Sequence, residues 1–253
     1  MPPNSATLST RVLEVRDIPF PQLLDPVDDL PPSTVITSVT RTTDGWLVRG
    51  DGQDAWPADA VVVTCPAYRQ AELLGDLDPA LANDIVGIGY TPIAVVVVGY
   101  KRDDVPGDLD GFGYIAPGRT RRDALGVQWC SSIFPDRAPP GFVTWRVLCG
   151  GASRPDVLTW DDDTLLRKVH EEMKFTMKVR GKLAFHKIVR WPKAIPQYAV
   201  GHPARVARIE AFAAKHRGLI LGGNAYRGIA MNDCTEQAER IADDVAKLFT
   251  AST

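Results

Sequence analysis

Hydrophobic and polar positions change rhythm several times along the chain, and each change predicts an element. From Ser33 the pattern is short and strand-like: "STVITSV", then "GWLVRG", each closed by an Asp-Gly pair, then the apolar run "ADAVVVTCP" (58–66). "AYRQAELL" and "DPALANDIVG" switch to helical spacing, the second with Asp78 placed to cap it and Pro79 at its first position. Strand patterns return at "IAVVVVGY", "GFGYIAP", "ALGVQWCSS" and "FVTWRVLC", which predicts a long antiparallel stretch in the middle of the chain. A helix is expected from about Asp163 to Met177, a strand near "KIVRW", a helix over "PARVARIEAFAAKH", and a last helix after Asp233. There Asp-Cys-Thr-Glu resembles a capping box, and Ile241, Val245 and Phe249 share one face. Residues 1–33, rich in Pro and Asp, are expected to be irregular. The class is mixed α/β.

Composition narrows the function more than it names it. The 253 residues are 45% hydrophobic and 24% charged with a net charge of −2, the balance of an ordinary globular protein with no global case for nucleic acid. No apolar run approaches the ~20 residues that span a bilayer, and the N-terminus lacks a signal-peptide core, so a cytoplasmic protein is expected. The four cysteines (Cys65, Cys130, Cys149, Cys234) are scattered and read as reduced thiols packed in the interior.

Several motifs fail on context. "GDGQDA" from Gly50 and "GFGYIA" from Gly111 match GxGxxA, but each sits in a strand–turn setting followed by proline, without the helix a dinucleotide fingerprint needs. There is no GxxxxGK[ST], GxSxG or HExxH; "HEEMK" at His170 reads as a solvated helix face, and His186, His202 and His216 lack metal-ligand spacing. The basic runs at 119–122 and at Arg205, Arg208, Lys215 and Arg217 read as solvated surface. No metal site, acid–base constellation or hydrolytic nucleophile emerges.

One stretch does carry chemistry. "LILGGNAYRGIAMNDCTEQ" (219–237) runs from a strand through Gly222, Gly223 and Gly228 into a helix. Such a connection brings backbone N–H groups close to an anion or cofactor, and an ordinary tight turn capped by Asp produces the same pattern.

The segments around it decide between those readings. "RWPKAIPQYAVGHPARVARIEAF" (190–212) followed by "GLILGGNAYRGIAMNDCTEQAERIA" resembles the C-terminal end of protoporphyrinogen oxidases, within the flavin-containing amine oxidase and phytoene desaturase superfamily. "ADAVVVTCPAYRQAELL", "GFGYIAP", "LGVQWCSSIFPDRAP" and "CGGASRPD" match upstream in the family's order. The resemblance implies FAD, a porphyrinogen substrate (protoporphyrinogen or coproporphyrinogen), oxygen as oxidant, and a place in haem biosynthesis. It implies the C-terminal part of a Rossmann-like FAD-binding fold joined to the antiparallel sheet of a substrate domain. The family's N-terminal GxGxxG unit is missing, so the resemblance implies a C-terminal half, whether a fragment, a split gene or a truncated reading frame, and in the split-gene case a separate N-terminal half is the expected partner. The expected division is 1–33 irregular, 34–90 part of the FAD domain, 91–186 substrate domain, and 187–253 the remainder of the FAD domain.

By the same resemblance, Val35, Trp191, Gly222, Gly223, Asn224, Ile229, Ala230 and Met231 approach the cofactor, and Ile115, Gln128 and Leu148 line an apolar slot for the substrate. Gln128 departs from the apolar residue usual there. For Trp191 and the slot residues, ordinary core packing would look the same. Other readings are a different amine oxidase or desaturase activity, or a non-catalytic remnant able to bind porphyrin. The family also admits peripheral contact with a membrane, which no feature of this sequence marks.

Overall fold

The computed structural model describes residues 34–52 and 55–250, so the expectation for residues 1–33 lies outside the described residues. In chain order the elements are β1 (Ile36–Arg41), β2 (Trp46–Gly50), β3 (Ala55–Ala58), β4 (Val61–Val63), α1 (Ala67–Leu74), α2 (Pro79–Val86), β5 (Tyr90–Lys101), β6 (Gly113–Ile115) and β7 (Ala124–Gln128). Then follow α3 (Cys130–Ile133), β8 (Phe142–Gly150), α4 (Asp162–Thr176), β9 (Phe185–Pro196), α5 (His202–Ala213), β10 (Leu219–Leu221) and α6 (Met231–Thr250). The chain divides into two units: one runs to Gly89 and resumes at Tyr198, and the other is Tyr90–Gln197. The class is mixed α/β, as the pattern of elements predicts.

The first unit contains an antiparallel meander, β1-β2-β3, in which Val39 faces Val48 and Thr42 N–H closes the hairpin on Gly45 O at 2.9 Å. Its second sheet is a parallel pair. Val61–Val63 of β4 lies in register with Leu219–Leu221 of β10. Both runs are apolar without alternation, the pattern of parallel strands, though Val62 in the middle of β4 is exposed. Asp78 caps α2 through Ala80 and Leu81 N–H, each at 3.0 Å, and these bonds hold its carboxyl below the ordinary carboxylate range, with help from His216 at 3.1 Å. Asp84 on α2 receives Arg208 of α5 through two bonds of 3.0 and 2.7 Å, and the same guanidinium lowers its pKa. Arg205 adds a bond to Asp84 O at 3.0 Å, so these arginines fasten two helices rather than forming a merely solvated run.

The second unit is a five-stranded antiparallel sheet, order β6-β7-β8-β5-β9, with α4 on one face. Alternation on the long strands sorts the side chains. Val96, Val98 and Tyr100 of β5 and Val143, Trp145 and Val147 of β8 bury against Leu165, Val169 and Met173 of α4. Burying these nine side chains, at about 1.5–3 kcal/mol each, is the principal stabilisation of this sheet.

Four expectations are corrected here. "WCSS" leaves the strand after Gln128 and coils into α3, because Trp129 turns the backbone. The last helix begins at Met231, and Asp233 in its first turn reaches back to Ala230 N–H at 3.0 Å instead of standing ahead of the helix as its cap. His170 is not on a solvated face: its Nδ1 meets Tyr100 Oη at 3.0 Å, the rings stack, and desolvation lowers its pKa. Of the four free thiols only Cys149 is buried. The second unit runs to Gln197, and within it β9, including Trp191, pairs with the central strand β5.

Candidate functional site

The loop between β10 and α6 is pinned from two sides. From within, Gln70 of α1 has no exposed surface. Its Nε2 donates to Cys65 O at 2.7 Å and Gly222 O at 2.9 Å, and its Oε1 accepts from the Tyr226 hydroxyl at 2.6 Å. From outside, the Tyr198 hydroxyl donates to Asn224 O at 2.8 Å and accepts from Gly228 N–H at 2.7 Å, so one oxygen ties both arms of the loop. The Tyr198 ring stacks on His202 with centroids 4.0 Å apart. His202 Nε2 lies 3.1 Å from Tyr226 O; a carbonyl only accepts, so the Nε2–H tautomer fits.

The glycines have a packing reason of their own. A Cβ on Gly223, at φ +110°, would sit 2.9 Å from Thr64 O, and one on Gly228, at φ +120°, would meet the Asp233 side chain at 2.3 Å. Gly222 is closed by Ile241 Cδ1 at 2.5 Å. These residues let the loop fold tightly on its own protein, which is a different job from close approach to a ligand.

The loop turns its last residues outward. Ile229, Ala230 and Met231 are exposed at the mouth of α6, Met231 to 86%. The N–H groups of the first helical turn have no preceding carbonyl to bond, so the same surface offers apolar contact and donors side by side. That combination fits a flat, largely apolar ring bearing carbonyl oxygens. Val35 lies elsewhere in the unit, just before β1, with its N–H 3.3 Å from Asp51 Oδ1 and its carbonyl taking Asp51 N–H at 2.9 Å.

The remaining four predicted residues belong to the second unit, on the sheet face opposite α4. Register places Ile115 beside Gly126, Gly126 beside Leu148, Leu148 beside Val95 and Val95 beside Val189, a row across all five strands. Trp191 stands opposite Ile93, two residues along from that row, and Gln128 two residues along on the other side. Ile115 is 86% exposed, while Leu148, Gln128 and Trp191 are half-buried. One sheet face therefore collects Ile115, Gln128, Leu148 and Trp191.

Gln70, Tyr198, His202 and Tyr226, which hold the loop, are not among the sequence candidates. Only Gln70 carried a signal, a polar side chain inside an otherwise apolar helix stripe. Among the described residues no cluster of His, Cys, Asp or Glu could hold a metal, and no helix is long and apolar enough to cross a membrane.

Comparison with known proteins matches residues 29–246 to the family described as flavin containing amine oxidoreductase. The chain belongs to that family. Membership brings a flavin with it, in agreement with the FAD expected from the sequence. Among its relatives is the chloroplastic protoporphyrinogen oxidase of Nicotiana tabacum, 34% identical over 196 residues, or 74% of this chain and 36% of that protein. Another is the coproporphyrinogen III oxidase of Bacillus subtilis (strain 168), 26% identical over 219 residues, covering 86% and 46%. In fold the chain is similar to an Exiguobacterium sp. 255-15 protein whose name assigns it provisionally to the protoporphyrinogen oxidases, with TM-score 0.70, 20% identity, and coverage of 84% of this chain and 46% of that one. This family member thus spans between about a third and a half of the relatives it matches.

Proposed function

We propose that the chain supplies the flavin-facing loop and the substrate-facing sheet of an FAD-dependent porphyrinogen oxidase that uses oxygen as electron acceptor. The observation that carries this reading is the convergence of Ile115, Gln128, Leu148 and Trp191, drawn from four strands, on one sheet face. A flat apolar substrate needs such a surface, and relatives named for protoporphyrinogen and coproporphyrinogen oxidation support the substrate class. In this reading the first unit is part of the FAD domain and the second the substrate domain.

When bound, the flavin takes up the hydride equivalents removed from the substrate. The chain's residues act by placement. Gly222, Gly223 and Asn224 set the path of the loop, Ile229, Ala230 and Met231 would give the ring system apolar contact, and the first turn of α6 from Met231 would add N–H donors. Val35 would contact the adenine end of the cofactor. Trp191 would pack against the ring and keep water from it. Ile115 and Leu148 give the substrate an apolar bed, with Gln128 at its polar border. No side chain is asked to carry a proton. The pyrophosphate of FAD calls for a strand–GxGxxG–helix unit that these 253 residues lack, and the reading assigns it to an N-terminal partner segment.

The test is reassembly. The chain is co-expressed with the N-terminal half of a related porphyrinogen oxidase, loaded with FAD, and given each porphyrinogen in air. Porphyrin fluorescence should rise faster than in enzyme-free controls. A soluble, flavin-loaded complex that oxidises neither porphyrinogen would refute the reading in favour of another amine-oxidase activity or a binding remnant.

A further inference from the structure

The sheet face described above is not uniformly apolar. One step along from the Ile115–Gly126–Leu148–Val95–Val189 row, the register gives Gly113–Gln128–Arg146–Val97–Lys187. Arg146 of β8 and Lys187 of β9 both lie directly beside Val97 of the central strand, on either side of it. Neighbouring strands are ~4.8 Å apart, so the two backbones are separated by roughly 10 Å, with a valine between them. Both side chains are exposed, and neither forms an ion pair with a described residue. Lys101 lies on the same face further along β5, opposite Phe142. None of the five strands places an Asp or Glu on this face. The opposite face differs: there Arg190, one residue before Trp191, reaches Asp162 and Trp160 O, and Arg122 reaches Glu172 at 2.8 Å.

The order along the strands is therefore indole, aliphatic row, cationic row. A ligand complementary to it is flat and apolar in its body and carries carboxylates along one edge. We propose that Arg146 and Lys187 are specificity-determining residues that receive the carboxylates of a tetrapyrrole lying over Val95, Leu148 and Val189. This deepens the porphyrinogen reading and rests on it. The pair flanks one aliphatic residue, so a ligand edge seated on Val97 meets a cation on each side. Arg146 offers a planar fork suited to a bidentate carboxylate, and Lys187 offers a point charge on a flexible stem. Gln128, next to Arg146 in the same row, extends the polar border. Its departure from an apolar residue is then part of the same edge.

The experiment uses the 253-residue chain with two stable probes, coproporphyrin III and its tetramethyl ester, titrated by quenching of protein fluorescence in one detergent buffer. Exposed ion pairs are worth up to about fivefold in affinity each, so the free acid should bind roughly twentyfold tighter than the ester. The Arg146→Leu/Lys187→Leu double variant should bind the acid no better than the ester, with ester affinity unchanged, which shows that the face is still folded. Salt provides a second reading on the unaltered chain: raising ionic strength should weaken binding of the acid and leave the ester alone. A double variant that keeps its preference for the acid, or acid binding that is insensitive to salt, overturns the proposal and leaves the porphyrinogen reading standing. Failure of the unaltered chain to bind either probe overturns both.

Discussion

Replacing Gln70 with Leu should loosen the loop that the account sets against the flavin, and the structure allows the cost to be worked out. The substitution keeps the volume close to that of glutamine, so little cavity is created. It strips the acceptor at 2.6 Å from the Tyr226 hydroxyl and the donor at 2.7 and 2.9 Å from the carbonyls of Cys65 and Gly222. Gln70 is wholly buried and Tyr226 nearly so. A buried polar group that loses its partner costs about 1–3 kcal/mol. With the hydroxyl and one carbonyl counted as fully desolvated, the expected loss is about 2–6 kcal/mol, a large share of a domain's ordinary stability. Tyr226→Phe alone should cost about 1–2 kcal/mol, because it deprives only Gln70 Oε1. In the double variant the hydroxyl and its acceptor are both gone and neither orphan remains, so the combined cost should fall short of the sum by about 2–5 kcal/mol. The assay is native-state hydrogen exchange at Gly222 N–H, which bonds to Val63 O at 3.0 Å and reports the β4–β10 pairing, supported by urea unfolding of each variant. A Gln70→Leu cost below about 1 kcal/mol, or strict additivity in the double variant, would refute the network as described.

Three further outcomes follow from the geometry. Gly223→Val should destabilise the chain by about 2–4 kcal/mol and empty the flavin from a reassembled enzyme, since φ is +110° and the added Cβ meets Thr64 O at 2.9 Å; Gly118→Val, where nothing lies within 4 Å, should do neither, and equal thermal shifts would contradict this. Acid should weaken the first unit: the depressed pKa values of Asp78 and Asp84 contribute stability that is fully present above the ordinary aspartate pKa of 3.8 and lost as pH falls through the lower folded values, so Asp84→Asn should flatten the acid limb of a pH–stability curve. Trp191→Ala should lower flavin occupancy or turnover in the reassembled enzyme while leaving α4 packing intact, because Trp191 lies on the face away from that helix; wild-type flavin content and rate would remove its assigned role.

The long strands and helices were legible because one periodicity dominates each. The valines of "IAVVVVGY" and the alternation in "FVTWRVLC" mark β5 and β8 without help from the rest of the chain. What alternation cannot show is which strands become neighbours. The common face of Ile115, Leu148 and Trp191 depends on the order β6-β7-β8-β5-β9, which brings β9 beside β5 across some ninety residues. The glycine loop was legible as a loop, but its supports were not. Tyr198 and Gln70 reach it from 26 and 152 residues away, and neither residue type announces such a bond. The start of α6 was misplaced because an Asp in a first turn bonds either forward from the N-cap or backward from the third position, and both leave the same mark in sequence. His170 was misread for a related reason. Helical spacing places it beside charged residues, whereas its partner Tyr100 is seventy positions away.

The central claim is that this chain completes a flavin site that oxidises a porphyrinogen. Its most direct measurement is anaerobic mixing of the reassembled, FAD-loaded protein with coproporphyrinogen III or protoporphyrinogen IX in a stopped-flow spectrophotometer. The account predicts that one of them bleaches the visible absorbance of the bound flavin within the enzyme's turnover time, and that admitting oxygen restores it as porphyrin fluorescence appears. A flavin that stays oxidised in the presence of both porphyrinogens would contradict it.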